Sequence, residues 1–105
     1  MRSGLVAFFA GNMAGDTLRQ TVAISNPAGF HMRPMQAFVE TACRFSCDVT
    51  VTLEGKPPVN GKSIWGLLGL TAEQGSDLLI EVTGPNAAEA LRELMQVFKH
   101  NFDEE

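Results

Sequence analysis

The chain holds only two cysteines, Cys43 and Cys47. With no second pair and no neighbouring histidine, they lack the ligand spacing of a zinc site. They are read as reduced thiols of a cytosolic protein, one turn apart if a helix reaches that far. No stretch approaches the roughly 20 consecutive apolar residues that span a bilayer, so no membrane association is expected. Positive charge is scarce too. The formal net charge is −4 and the isoelectric point about 5.1, which argues against a nucleic-acid partner. There is no internal repeat, no low-complexity tract and no cluster of metal-ligating side chains, so neither metal nor cofactor is expected.

What is present is one domain's worth of chain. The 105 residues are 45% hydrophobic and 19% charged, a globular composition with material for one modest core. The first 17 residues stand apart. Leu5-Val6-Ala7-Phe8-Phe9-Ala10 follows Arg2 and hints at a signal peptide, but the apolar run is at the short end for one. Met13 offers an alternative start. Residues 1–17 are therefore read as an extension, disordered or upstream of the true start, and residues 18–105 as the domain.

Within the domain, hydrophobic periodicity orders the elements. Leu18 to Ser25 alternates as a first strand and ends at the turn residues Asn26-Pro27-Ala28-Gly29. A helix over about 32–44 carries Met35, Phe38, Val39 and Ala42 on one face. Asp48 to Glu54 is the cleanest alternation in the chain and predicts a second strand with one wet face. Glu54-Gly55-Lys56 reads as a tight turn. The third strand, 57–61, opens with Pro57 and Pro58, which cannot donate ladder hydrogen bonds, so it should be short and at an edge. Ile64, Leu67 and Leu68 mark a short helix capped by Ser63. Ser76 to Thr83 is the fourth strand. Asn86 and Glu89 have capping-box spacing ahead of a last helix whose buried stripe is Ala87, Ala90, Leu91, Leu94 and Phe98. His100 near its end reads as structural or solvated. The order β-α-β-β-α-β-α with half-polar strands predicts an α+β fold of two layers. An antiparallel sheet would carry all helices on one face and open the other to water.

The chemistry concentrates at Gly29-Phe30-His31-Met32-Arg33-Pro34. Pro34 suits a first helical turn, where its missing N–H has no intrahelical acceptor. His31 then falls at or beside the N-cap, with unpaired backbone N–H groups and the positive end of the helix dipole at hand. Such a start binds anions. A neutral imidazole there can attack phosphorus, the amides of Met32 and Arg33 can hold phosphoryl oxygens, and Arg33 can clamp them. The plainer reading, a histidine that merely caps the helix or lies on the surface, stands level with this on the motif alone. Ser63 is at least an N-cap. Trp65 falls off the apolar stripe of its helix, so it either marks a contact surface or folds back over the sheet edge.

Two motifs together carry a family resemblance. Gly29-Phe30-His31-Met32-Arg33-Pro34 is similar to the phosphorylation-site signature Gly-aliphatic-His-x-Arg-Pro of HPr, the histidine-containing phosphocarrier of the bacterial phosphoenolpyruvate-dependent phosphotransferase system. Lys62-Ser63-Ile64-Trp65-Gly66-Leu67-Leu68 is similar to that family's regulatory-serine signature. The resemblance covers about residues 18–105. It implies an open-faced β-sandwich with strand order 1-4-2-3 and three helices, and a carrier rather than an enzyme. It implies that Nδ1 of His31 accepts a phosphoryl group from phospho-enzyme I and passes it to IIA domains of sugar transport, with Arg33 stabilising it. Ser63 would be the target of an HPr kinase/phosphorylase where the organism has one. Met32, Gln36, Ile64, Trp65 and Leu68 would line the partner surface. A cytoplasmic monomer is expected.

The chain departs from the pattern in places. Met35 and Met32 replace smaller residues, Pro57-Pro58 includes an extra residue in the loop region before the third strand, and Ala28 lacks the polar side chain often found before the glycine. That last change puts one hydrogen bond near the histidine in doubt. Two other readings stay open. One is a regulatory docking module of the same fold, motivated by Ser63 and Trp65. The other is a small α+β enzyme with His31 as general base, which lacks a second catalytic carboxylate or metal cluster.

Overall fold

The computed structural model describes residues 17–103. The expectations for the N-terminal extension lie outside them, apart from Thr17. The elements are β1 (Thr17–Ala23), α1 (Met32–Ala42), β2 (Asp48–Leu53), β3 (Val59–Asn60), α2 (Ile64–Leu68), β4 (Asp77–Thr83) and α3 (Ala87–Asp103). All strand pairings are antiparallel and the sheet order is β1-β4-β2-β3. This is the α+β, open-faced arrangement expected from the sequence. No described helix is long and apolar enough to cross a membrane.

The alternation in β2 and β4 determines which face is covered. Val49 and Val51 of β2 and Leu78, Ile80 and Val82 of β4 are buried, while their neighbours Thr50, Thr52, Leu79, Glu81 and Thr83 are half-exposed. The register sets Val51 opposite Ile80 and Val49 opposite Val82. The buried face therefore presents a continuous apolar strip, against which the helices lay Phe38, Ala42, Leu67, Ala90 and Leu94. At its centre Phe30, Phe38 and Phe98 form a ring trio with centroids 5.5 to 6.1 Å apart. These separations favour edge-on and tilted contact between aromatic rings. Because Phe30 immediately precedes His31, the trio joins the core to the site.

Several expected boundaries move. Strand β3 pairs only at Val59 and Asn60, opposite Val51 and Thr50. Pro57 and Pro58 stay outside it and exposed, as residues without an N–H must if the ladder is to close. The first helix ends at Ala42, and α2 is a five-residue helix. The turn at 54–56 is as expected, with Gly55 at φ +87° and Lys56 N–H donating to Leu53 O at 2.9 Å. Asn86 differs from the sequence reading. It precedes α3 with φ +60°, the left-handed region rather than the extended backbone of an ordinary N-cap, and Ala90 N–H donates to its carbonyl at 2.9 Å. Met35, bulky for its position, is buried at 3% exposure and serves as core.

Both cysteines are free thiols, Cys43 exposed and Cys47 buried. Burial pushes the Cys47 thiol up, with Lys62 partly opposing it. The thiolate is the reactive form. In native protein at pH 8 an alkylating reagent is expected to label one thiol, Cys43, and to reach Cys47 only on unfolding; equal labelling rates would contradict this packing. Phe38→Ala should lower unfolding free energy by about 3–5 kcal/mol in urea melts, the usual cost of emptying an aromatic core site.

Candidate functional site

The site is built where β1 hands over to α1. Asn26 is buried at 4% exposure, and its side chain organises the turn. Its Oδ1 accepts the Ala28 N–H at 2.9 Å and its backbone carbonyl accepts the Gly29 N–H at 2.8 Å. This is the local hydrogen bonding that makes asparagine a turn residue. Gly29 follows at φ +74°, with Ala72 O only 2.6 Å from where a Cβ would stand. A glycine is required on both counts. Phe30 N–H donates to Ala72 O at 3.0 Å, so the chain is pinned to the loop between α2 and β4 immediately before the histidine.

His31 is the N-cap of α1, with extended backbone at φ −97° and ψ −172°. Its side chain makes no capping hydrogen bond; the ring lies half-exposed, with Nε2 3.3 Å from Asn26 Nδ2. The histidine thus occupies the cap position without spending its imidazole on capping, which separates it from the plainer sequence reading. Met35 N–H closes the first turn on His31 O at 3.0 Å. The N–H groups of Met32 and Arg33 precede that bond and have no intrahelical acceptor. No acidic residue lies in this first turn to neutralise the positive helix end. Arg33 is exposed, and its guanidinium makes no ion pair among the described residues. An imidazole, two amides and an exposed guanidinium at one helix start can receive a phosphoryl group from solvent or from a partner.

The second motif forms its own helix start. Ser63 is extended, φ −120° and ψ 117°, and its Oγ accepts the Gly66 N–H at 3.1 Å. Helices α1 and α2 touch. Trp65 is 82% exposed and Met32 44% exposed, the two large apolar side chains among the described residues that stand out into water. Trp65 therefore does not fold back over the sheet edge. Gln36 is exposed, whereas Ile64 and Leu68 are half-buried and pack against the core. The polar contact to the histidine that Ala28 cannot make comes from Asn26. Its only sequence signal was an asparagine in a turn five residues ahead of the histidine.

A family model described as the PTS HPr component phosphorylation site matches residues 18–100. The chain belongs to the HPr family. The phosphocarrier protein HPr of Neisseria meningitidis serogroup A is 39% identical over 87 residues, spanning 83% of this chain and 97% of that protein. The crystal structure of HPr from Thermoanaerobacter tengcongensis superposes with a TM-score of 0.76 at 35% identity, covering 84% of this chain and 98% of that one. The catabolite-repression protein Crh of Bacillus subtilis, a domain-swapped dimer in its crystal, gives a TM-score of 0.62 at 34% identity, covering 77% and 92%. The matched span includes the turn and helix start described above.

Gly29→Ala tests how far the site depends on its turn. A side chain at positive φ costs about 1–3 kcal/mol, and here its Cβ would also meet a backbone carbonyl at 2.6 Å. We expect a loss of at least that size in chemical denaturation; an unchanged midpoint would show that the loop carries no such constraint.

Proposed function

We propose that this HPr-family chain is a phosphocarrier in which His31 takes a phosphoryl group on Nδ1 from phospho-enzyme I and delivers it to IIA-type acceptors. The observation that carries this reading is the N-cap histidine whose ring is not used as a cap, two residues ahead of an exposed arginine. The lone pair of Nδ1 attacks phosphorus, and the donor's leaving atom takes the electron pair of the bond that breaks. Delivery runs in reverse on the acceptor. Phosphoryl transfer asks little covalent work of the protein beyond position and charge stabilisation. The amides at the start of α1 and the Arg33 guanidinium supply the charge, and the partner completes the site. The protein is then a substrate of enzyme I rather than an enzyme.

Trp65 and Met32, with Gln36, Ile64 and Leu68, form the surface on which we place the partners. An apolar patch around one reactive side chain suits brief docking to several of them. Ser63 stands inside that patch. Phosphorylation there, by an HPr kinase/phosphorylase where one is present, adds about −1.5 to −2 charges at a helix start that tolerates them, and so alters docking more than folding. We assign residues 18–105 to the carrier domain, acting as a cytoplasmic monomer. The resemblance to Crh, named for catabolite repression, favours a second reading, in which the same surface docks to a regulatory protein and the phosphate is the signal.

Incubation with phosphoenolpyruvate and a bacterial enzyme I, read by intact mass, separates these readings. A single acid-labile phosphoryl adduct is expected, absent in His31→Ala and formed about tenfold or more slowly in Arg33→Ala, given the usual strength of a charge-assisted hydrogen bond. An adduct that survives His31→Ala would overturn the assignment. A well-folded chain that takes none from enzyme I, yet whose partner affinity changes in Ser63→Asp, would establish the docking module instead.

A further inference from the structure

The carrier reading uses Nδ1 of His31, but the structure holds the opposite nitrogen. Asn26 Oδ1 accepts the Ala28 N–H at 2.9 Å. An N–H cannot donate to an amide NH2, so this bond fixes which way the Asn26 amide faces. Its Nδ2, a donor only, is then the atom 3.3 Å from His31 Nε2. Rotation of the amide would break the Ala28 bond inside a side chain that is 4% exposed. Nε2 must therefore meet Asn26 with its lone pair, and in the neutral ring the proton sits on Nδ1.

We propose that Asn26 is a positioning residue that keeps the His31 lone pair on Nε2 and thereby lengthens the life of a phosphoryl group on Nδ1. This rests on the carrier reading above. For loading, the ring passes through the other tautomer: the Nδ1 proton leaves to solvent and Nε2 takes one up as Asn26 gives way, the freed Nδ1 lone pair attacks phosphorus, and the Nε2 proton returns to solvent once the N–P bond has formed. In the phosphorylated ring Nδ1 is bonded to phosphorus and Nε2 carries the lone pair, the arrangement that Asn26 already matches. Loss of the phosphoryl breaks the N–P bond and returns its electron pair to Nδ1. With a proton on Nε2 the leaving group is a neutral imidazole; without one it is an imidazolate, a far poorer leaving group. A donor N–H aimed at Nε2 competes with that proton. The adduct then persists in water, and a docking partner that displaces Asn26, or supplies the proton, releases it.

The test compares wild type with Asn26→Asp. One carboxylate oxygen keeps the Ala28 bond, so the turn survives, while the other now accepts from Nε2. Two-bond ¹H–¹⁵N spectra of the unphosphorylated protein read the ring directly. We expect the Nδ1–H tautomer in wild type and the Nε2–H tautomer in Asn26→Asp, a signature that a merely structural role would not move. After loading by enzyme I, the adduct half-life at one fixed neutral pH should fall about three- to tenfold in Asn26→Asp, the range of one hydrogen bond. The same tautomer in both proteins, or equal half-lives, would overturn the proposal. If wild type takes no phosphoryl group at all, the carrier reading and the lifetime claim fall together, while the spectra still decide whether Asn26 sets the tautomer.

Discussion

Two adjacent residues with opposite environments govern this molecule. Phe30 is 3% exposed and joins the Phe38 and Phe98 rings, while His31 beside it is half-exposed and Met32 stands out into water. A chain can turn from core to surface this abruptly only if its backbone is held. Phe30 N–H is bonded to Ala72 O, and Ile24 at the end of β1 exchanges hydrogen bonds with Gly75 and Ser76 of the same loop. The β1–α1 connection is thus clamped onto the α2–β4 connection, and Gly29 is the residue without a Cβ that lets the two approach. Release of that clamp would detach the start of α1 from the core.

The clamp matters because a carrier must be both exposed and ordered. On the function proposed above, the histidine nitrogen meets more than one partner, so no closed pocket can be built around it, yet transfer depends on position to within a fraction of an ångström. Here the order comes from beneath. The aromatic trio fixes where α1 starts, the Asn26 turn fixes how the chain enters it, and the side chains above are left to the partner. The same proposal gives the exposed Arg33 its use: a guanidinium reachable from solvent can close on a phosphoryl group as it arrives.

Much of this was legible in the sequence, for identifiable reasons. The alternation in Asp48–Leu53 and Asp77–Thr83 survives because each strand has one covered face, so period two is imposed by burial. The helical stripe through Phe38 and Ala42 and the Ser63 cap are local rules as well. The strand order 1-4-2-3 is not local. Periodicity implied only an antiparallel sheet, and the order followed from the resemblance to HPr. The shortness of β3 was half-visible in Pro57 and Pro58. The left-handed Asn86 was not, since the sequence gives an asparagine before a helix no preference between a side-chain cap and positive φ. Nor was the Asn26–His31 contact. It spans five residues through a turn whose dihedral angles, above all Gly29, bring the two side chains together.

The two candidate phosphorylation residues invite a comparison that only the structure permits. Both are N-caps with extended backbone, yet they spend their side chains differently. Ser63 commits Oγ to the Gly66 N–H, so a phosphate there would have to take over a structural hydrogen bond. Its oxygens can do so, because they are stronger acceptors at the same helix start. The His31 side chain makes no capping hydrogen bond, so gaining or losing a phosphate there leaves the cap untouched. A group that must turn over rapidly is best carried by a side chain on which the fold does not depend. A group that is to act as a lasting signal can be carried by one on which it does.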